Sequence, residues 1–221
     1  MAGTSLKKEY LCFEERKVVD LSPSSIDSLY DQGFVATRID TGIFHQTRSV
    51  RIDLSLFELT SENRRILRKG EEISLSVSSL PLSSYDWNIG KMAKDFYDTK
   101  AGVGTFSANK VKELLSLPSH FTSLFSYTDT KETVGHCIAV QTPSLLHYCY
   151  PFYLLSASKD MGLIMMLKAI VFAKENNLKY VYLGSLQRPG DVYKLQFSGI
   201  QWFDGKEWKN DIEEVKQILS A

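Results

Sequence analysis

The sequence predicts an α/β fold, a mixed and antiparallel-rich twisted sheet flanked by helices. Three stretches carry that expectation. Residues 158–197 read as a long helix, a buried strand, a tight turn and a short helix; residues 124–155 read as three successive strands; residues 50–70 read as a strand followed by a capped helix. Strands that follow one another directly become antiparallel neighbours, and a strand–helix–strand unit lays its helix over a sheet face.

In chain order, residues 1–9 are expected to be disordered and Tyr10 to Val19 to form a first strand. Ser22-Pro23 caps a short helix to Gln32, and Gly33 stops it. Phe34 to Phe44 alternates as a strand with a turn at Asp40-Thr41-Gly42. Val50-Arg51-Ile52-Asp53-Leu54 alternates apolar and charged residues, the pattern of a half-buried strand. Thr60 or Ser61 then caps a helix that Gly70 closes; it carries Arg64, Arg65, Arg68 and Lys69. Ile73 to Val77 reads as a strand. Tyr85 to Lys100 reads as a helix with Trp87, Met92, Phe96 and Tyr97 buried, and Asn109 to Leu115 as another, ended by Pro118. Leu124 to Thr128 and Gly135 to Val140 flank a polar turn, a hairpin; Leu145 to Leu155 is a third, tyrosine-rich strand in which Pro151 interrupts a ladder and opens a cleft. From Met161 to Ala173 apolar residues recur at i, i+3 and i+4, and Asn177 suits a left-handed cap. Tyr180-Val181-Tyr182-Leu183-Gly184 has the composition of a strand buried on both faces, and Pro189-Gly190 turns into a short helix ending near Phe197.

Composition excludes several classes. The chain has 221 residues, 43% hydrophobic and 24% charged, with 26 basic and 26 acidic residues. A net charge of zero gives no global attraction to nucleic acid, so such a surface has to be local. No apolar run approaches the ~20 residues of a membrane span, and the first residues lack the apolar core of a secretory signal. Cys12, Cys137 and Cys149 are far apart with no paired spacing, which argues against a disulfide framework or a structural zinc site and for a cytoplasmic protein. His45, His120, His136 and His147 are scattered, without a Ser-His-Asp order or a nucleophile elbow. The cations of residues 64–69 fit either a solvated helix end favoured by the macrodipole or a phosphate-binding patch. The aromatic stripe of 148–153 fits core packing as well as a binding wall.

Particular residues favour the functional alternatives. Val50, Arg51, Phe57, Ser61, Arg64, Arg65 and Arg68, then Ser158 to Gly162, Tyr180-Val181-Tyr182-Leu183-Gly184 and Tyr193-Lys194-Leu195-Gln196-Phe197, resemble motifs of the arginyl/leucyl-tRNA–protein transferases. These enzymes have a GNAT-like acyltransferase fold that works without coenzyme A. In coenzyme A-dependent GNAT proteins a pyrophosphate turn, [Arg/Gln]-x-x-Gly-x-[Gly/Ala], precedes the long helix. Here Lys159 to Ile164 keeps only the first glycine, and Ile164 stands where a small residue lets phosphate approach.

The resemblance implies two GNAT-like halves, residues 10–115 and 120–221, in one compact unit. It implies transfer of an amino acid, arginine or leucine, from aminoacyl-tRNA to the N-terminal amine of an acceptor protein, with aminoacyl-tRNA as co-substrate and neither cofactor nor metal. Arg51, Arg64, Arg65, Arg68 and Lys69 are the expected tRNA contacts. Tyr150, Tyr153, Tyr182 and Ser185 are the expected substrate pocket. Asp191 is the expected proton acceptor, Tyr193 or Gln187 a donor, and Lys194 a support for the tRNA end or the oxyanion; packing of the last short helix also accounts for Tyr193 and Phe197. Two departures stand out. The paired cysteines that other members carry before the Val-Arg strand are missing, and Ser185-Leu186-Gln187 replaces their Tyr-x-Ile. An acyl-CoA-dependent N-acyltransferase and a non-catalytic module binding tRNA or peptide termini are the alternatives.

Overall fold

The computed structural model describes residues 10–37 and 40–220, so the expectation for residues 1–9 lies outside the described part. The elements are β1 (Glu14–Lys17), α1 (Pro23–Asp31), β2 (Phe34–Val35), β3 (Ile43–Gln46), β4 (Ser49–Asp53), α2 (Ser61–Lys69), β5 (Ser74–Ser79), α3 (Trp87–Lys100), α4 (Ala108–Ser116), β6 (Ser123–Thr128), β7 (Thr133–Gln141), β8 (Leu145–Tyr153), α5 (Met161–Glu175), β9 (Tyr180–Ser185), a 3-10 segment (Pro189–Gln196), β10 (Ile200–Phe203), β11 (Trp208–Lys209) and α6 (Ile212–Ser220).

Eight strands form one mixed sheet in the order β11-β10-β4-β9-β8-β7-β6-β5, and β1-β3-β2 form a small second sheet. Strands from both halves of the chain therefore share the main sheet. Its neighbours are antiparallel except β8 and β9, which run parallel because α5 carries the chain across between them. Such a β-α-β crossover needs a helix with a wide apolar face. α5 supplies it: Met161, Ile164, Met165, Met166, Leu167, Ala169, Ile170 and Ala173 are buried against the sheet. Asn177 ends this unit with φ 58°, the left-handed conformation expected of it. On one face α2, α5 and α6 cover Val50, Ile52, Leu146 and Val181. On the other, α1, α3 and α4 cover Leu145, Phe152 and Tyr182.

Local chemistry explains most element ends. The Ser22 hydroxyl accepts the amide of Ser25 at the start of α1. Thr60 and Asn63 form a reciprocal capping box on α2. Gly42 turns β2 toward β3 with φ 77° and its amide meets the His120 ring. Three expectations need correction. β4 is buried on both faces rather than half-buried, because β9 and β10 flank it and Trp208 covers its charged residue. Trp87 is exposed, since it begins α3 on the outer side. The Phe34–Phe44 strand keeps its expected turn at Asp40-Thr41-Gly42, but its strand pairing is limited to Phe34–Val35 and Ile43–Gln46.

Candidate functional site

The parallel pair separates early. β8 and β9 are in register only at Leu145/Tyr180, Leu146/Val181 and His147/Tyr182. Beyond that rung β9 keeps pairing with β4 as far as Ser185, while β8 bends away with β7. A β-bulge at Cys149, between the Tyr148 and Tyr150 partners of Ala139 and Ile138, makes the bend. The splay thus starts at Tyr148, ahead of Pro151, which stays aligned with Cys137 on the β7 side.

The V between the strands holds a cleft of about 210 Å³. β8 contributes His147, Cys149 and Tyr150, β9 contributes Leu183, Gly184 and Ser185, and the 3-10 segment contributes Lys194. Ala36, Thr37 and Tyr10 close the mouth, with the Tyr10 hydroxyl 3.0 Å from Ser185 Oγ.

Lys194 is the one ionised side chain in this wall. Its ammonium donates to the Ser185 carbonyl at 2.8 Å and lies 3.5 Å from Asp191 Oδ1. Burial pulls its pKa down, and the Asp191 carboxylate opposes that shift. Asp191 Oδ2 accepts the backbone amides of Gln187 and Arg188 at 2.8 and 3.0 Å, so one oxygen caps the 3-10 segment and the other steadies Lys194. Burial raises the Cys149 thiol well above its ordinary value, leaving a neutral sulfur unsuited to nucleophilic attack.

Of the expected site residues, the structure brings Tyr150, Ser185, Asp191 and Lys194 together. Tyr193 is about half exposed at the rim, its ring centroid 5.8 Å from Lys194 Nζ. Gln187 is engaged elsewhere: its amide holds the backbone of Leu11 from both ends and donates to Thr47 Oγ1 at 2.9 Å, anchoring the segment that carries Tyr10. Tyr182 is fully buried behind the cleft, 4.8 Å from the Tyr30 ring, and its hydroxyl accepts from Arg51. Tyr153 lines a second, larger cleft of about 800 Å³ between α3 and the β7–β8 end. From the sequence, His147 stood only among four scattered histidines and Gly184 only as the end of the Tyr180–Gly184 motif, and neither was assigned to the site; the one signal was a histidine inside an apolar, aromatic strand.

The expected tRNA contacts divide as well. Arg51 is 6% exposed, stacked between the Tyr180 and Trp208 rings at 3.9 and 4.0 Å and bonded to Gln201, Asp31 and Tyr182. It organises the sheet interior and reaches no surface phosphate. Arg64, Arg65, Arg68 and Lys69 are exposed on α2. Arg65 is paired with Glu62, and Lys69 with Asp160 at the start of α5. Arg64 gives one nitrogen to the Leu59 carbonyl. Arg68 has no ion-pair partner among the described residues. Where a coenzyme A pyrophosphate would need the open first turn of α5, the Asp160 carboxylate stands at its N-cap and Gly70 backs onto Ile164.

Among the described residues no cluster of His, Cys, Asp and Glu is placed to hold a metal, and no helix is long and apolar enough to cross a membrane. No protein-family model matches the chain. It is 25% identical over 167 residues to a protein named aspartate/glutamate leucyltransferase from Ruegeria pomeroyi, covering 73% of this chain and 61% of that one. A protein of the same name from Ruegeria sp. strain TM1040 is 27% identical over 197 residues, covering 82% and 70%. The chain thus spans about three fifths of the first relative's length. Among solved structures, L-PGS from Bacillus licheniformis aligns at TM-score 0.49 with 10% identity, covering 90% of this chain and 70% of that one. FemX aligns at 0.47 with 12% identity, covering 89% and 71%. The splayed parallel pair and the crossover helix beside it make this a mixed α/β chain, and its sequence relatives, at 24–27% identity, are proteins named aspartate/glutamate leucyltransferase.

Proposed function

We propose that the protein is an aminoacyltransferase that moves an amino acid from aminoacyl-tRNA to an N-terminal amine. The observation that carries the reading is the buried, singly cationic cleft at the β8–β9 splay, in a chain whose relatives are named for leucyl transfer. Those names favour leucine over arginine as the transferred group, and acceptors that begin with aspartate or glutamate.

The chemistry suits this cleft. An aminoacyl ester is already activated, so holding ester and amine together supplies much of the rate. The amine nitrogen bonds to the ester carbon while the carbonyl electron pair moves onto oxygen. The pair then returns, the bond to the ribose oxygen breaks, and the amine's proton ends on that oxygen. The negative oxygen formed midway needs a positive donor in a water-poor site, and Lys194, steadied by Asp191, is such a donor. Tyr150 and Ser185 line the aminoacyl side, and Tyr193 stands at the rim. Arg64, Arg68 and their neighbours on α2 offer the phosphate-binding surface.

The test is a transfer assay with labelled aminoacyl-tRNAs and peptides beginning with Asp, Glu, Arg, Lys or oxidised Cys, beside labelled acetyl-CoA. Leucine reaching Asp and Glu peptides is the expected result. Label arriving only from acetyl-CoA overturns it.

A further inference from the structure

Lys194 has a part in the proposed transfer; the histidine beside it has none so far. His147 is 2% exposed and occupies the last paired rung before the strands part. Its Nδ1 lies 2.8 Å from the Tyr30 hydroxyl. That hydroxyl also receives the backbone N–H of Ala36 at 3.3 Å, and it has no other acceptor among the described residues. A phenol has one hydrogen to give, and buried in this way it gives it to Nδ1. Nδ1 is then the acceptor, and the ring's own hydrogen is on Nε2.

Nε2 faces the cleft. It is 3.8 Å from the point where a side chain on Gly184 would begin, and Lys194 Nζ is 4.0 Å from the same point. Gly184 has φ +83°, so the residue that tolerates this backbone best also leaves the space between the two nitrogens open. Burial, with Lys194 second, lowers the His147 pKa to about 3. The ring is therefore a neutral N–H donor at working pH, with no free nitrogen to act as a base.

We infer that His147 Nε2–H and Lys194 form a donor pair over Gly184 that holds the carbonyl oxygen of the transferred aminoacyl group as it gains charge, with Tyr30 as the positioning residue that fixes the ring. The inference rests on the aminoacyl-transfer reading and adds the group that shares the oxyanion with Lys194. A charged and a neutral donor converging on one oxygen stabilise it more in the tetrahedral state than in the ester, where that oxygen is less negative.

Nitrogen-15 NMR of the histidine-labelled full chain decides the geometry directly. The Nε2–H tautomer is expected for His147 in the resting protein, and its signal should move when a stable 3′-aminoacylamino-3′-deoxyadenosine is added. An Nδ1–H tautomer, or a signal indifferent to that mimic, overturns the inference. In Tyr30→Phe the single tautomer should give way to a mixture. In transfer assays, His147→Asn should lower kcat about 100-fold with little change in KM. His147→Gln, whose amide can reach the Nε2 position, should recover most of that loss. Wild-type kcat in a folded His147→Asn protein also overturns it. Absence of transfer from every aminoacyl-tRNA would count against the reaction assignment; the tautomer and its response to the mimic decide the donor pair separately.

Discussion

Two clefts of this molecule each contain a buried histidine, and the two histidines sit in different surroundings. His147, in the 210 Å³ splay cleft, and His136, in the 800 Å³ cleft under α3, are 2% and 6% exposed. Burial lowers their pKa values to about 3 and about 4, so both rings are neutral at pH 7. Their surroundings separate them. His147 faces an ammonium and is held by a phenol that is itself pinned by a backbone amide. His136 is near the carboxylate of Asp86 and bonds to Ser126, a freely rotating hydroxyl that fixes no tautomer. The larger cleft is also lined by Asp95, Glu132 and Lys91, the last paired with Asp95. Volume and burial therefore do not separate the two clefts; the charge beside each ring and the rigidity of the supporting bond do.

Removing the charge of the splay cleft should have the largest effect. Lys194→Met should lower the transfer rate by about 10²–10³-fold, the usual effect of losing one oxyanion donor, while the fold survives because methionine fills the buried stem. Single-turnover transfer at saturating aminoacyl-tRNA measures it. A variant within about threefold of the native rate would move the chemistry away from the splay.

Acid stability probes what the two histidines share. Both have folded-state pKa values below the ordinary 6.5. The unfolded chain thus binds protons that the folded chain refuses, and stability falls as pH falls. Their contribution is complete above about pH 6.5 and is lost progressively toward pH 4 for His136 and pH 3 for His147. Each is worth on the order of a few kcal/mol. Urea unfolding at pH 8, 6 and 5 should show a falling midpoint at constant slope, and His136→Gln should make the fall shallower. A midpoint flat between pH 8 and 5 would mean that the rings titrate in the folded chain as they do in the unfolded one.

The framework of this comparison was readable from the sequence; its polar contacts were not. Periodicity gave α5, composition gave β9, and a polar turn between two strand-like runs gave the hairpin of β6 and β7, because each of these signals is local. The capped cationic helix was visible for the same reason, since Thr60 and Asn63 act within one turn. Arg51 was misread because its partners arrive from Asp31, Tyr182, Gln201 and Trp208, and only the assembled sheet brings them together. Tyr30 and His147 are 117 residues apart in sequence, and no spacing rule joins them. The last elements, β10, β11 and α6, were not anticipated, although Ile212, Val215 and Leu219 carry a helical apolar pattern.

The surface helix α2 allows binding to be separated from chemistry. Arg68 has no ion-pair partner among the described residues, and Arg64 commits one nitrogen to a backbone carbonyl, whereas Arg65 and Lys69 are already paired. Replacing Arg64 and Arg68 together by alanine should weaken tRNA binding about tenfold and lower the salt slope by roughly one to two. The rate at saturating tRNA should hold, because neither side chain lines the splay cleft. Filter binding across a salt series checks the first part. A changed saturating rate with unchanged affinity would place α2 in the chemistry instead.

The smallest effect belongs to the larger cleft, and it bears most directly on the contrast between the two. Asp95 pairs with Lys91 on the exposed side of α3, and surface pairs of this kind contribute little to stability. Asp95→Asn should leave both folding and transfer within error. The same assay on His136→Gln should show a native rate despite its altered acid stability, since the ring supports the wall of a cleft whose lining lysine, Lys91, is paired with Asp95. If either substitution instead cut transfer tenfold with KM for the acceptor peptide raised, the larger cleft would be the acceptor's entrance. Tyr153, which lines it and packs against Phe96 of α3, would then mark the route from that entrance to Tyr193 and the splay.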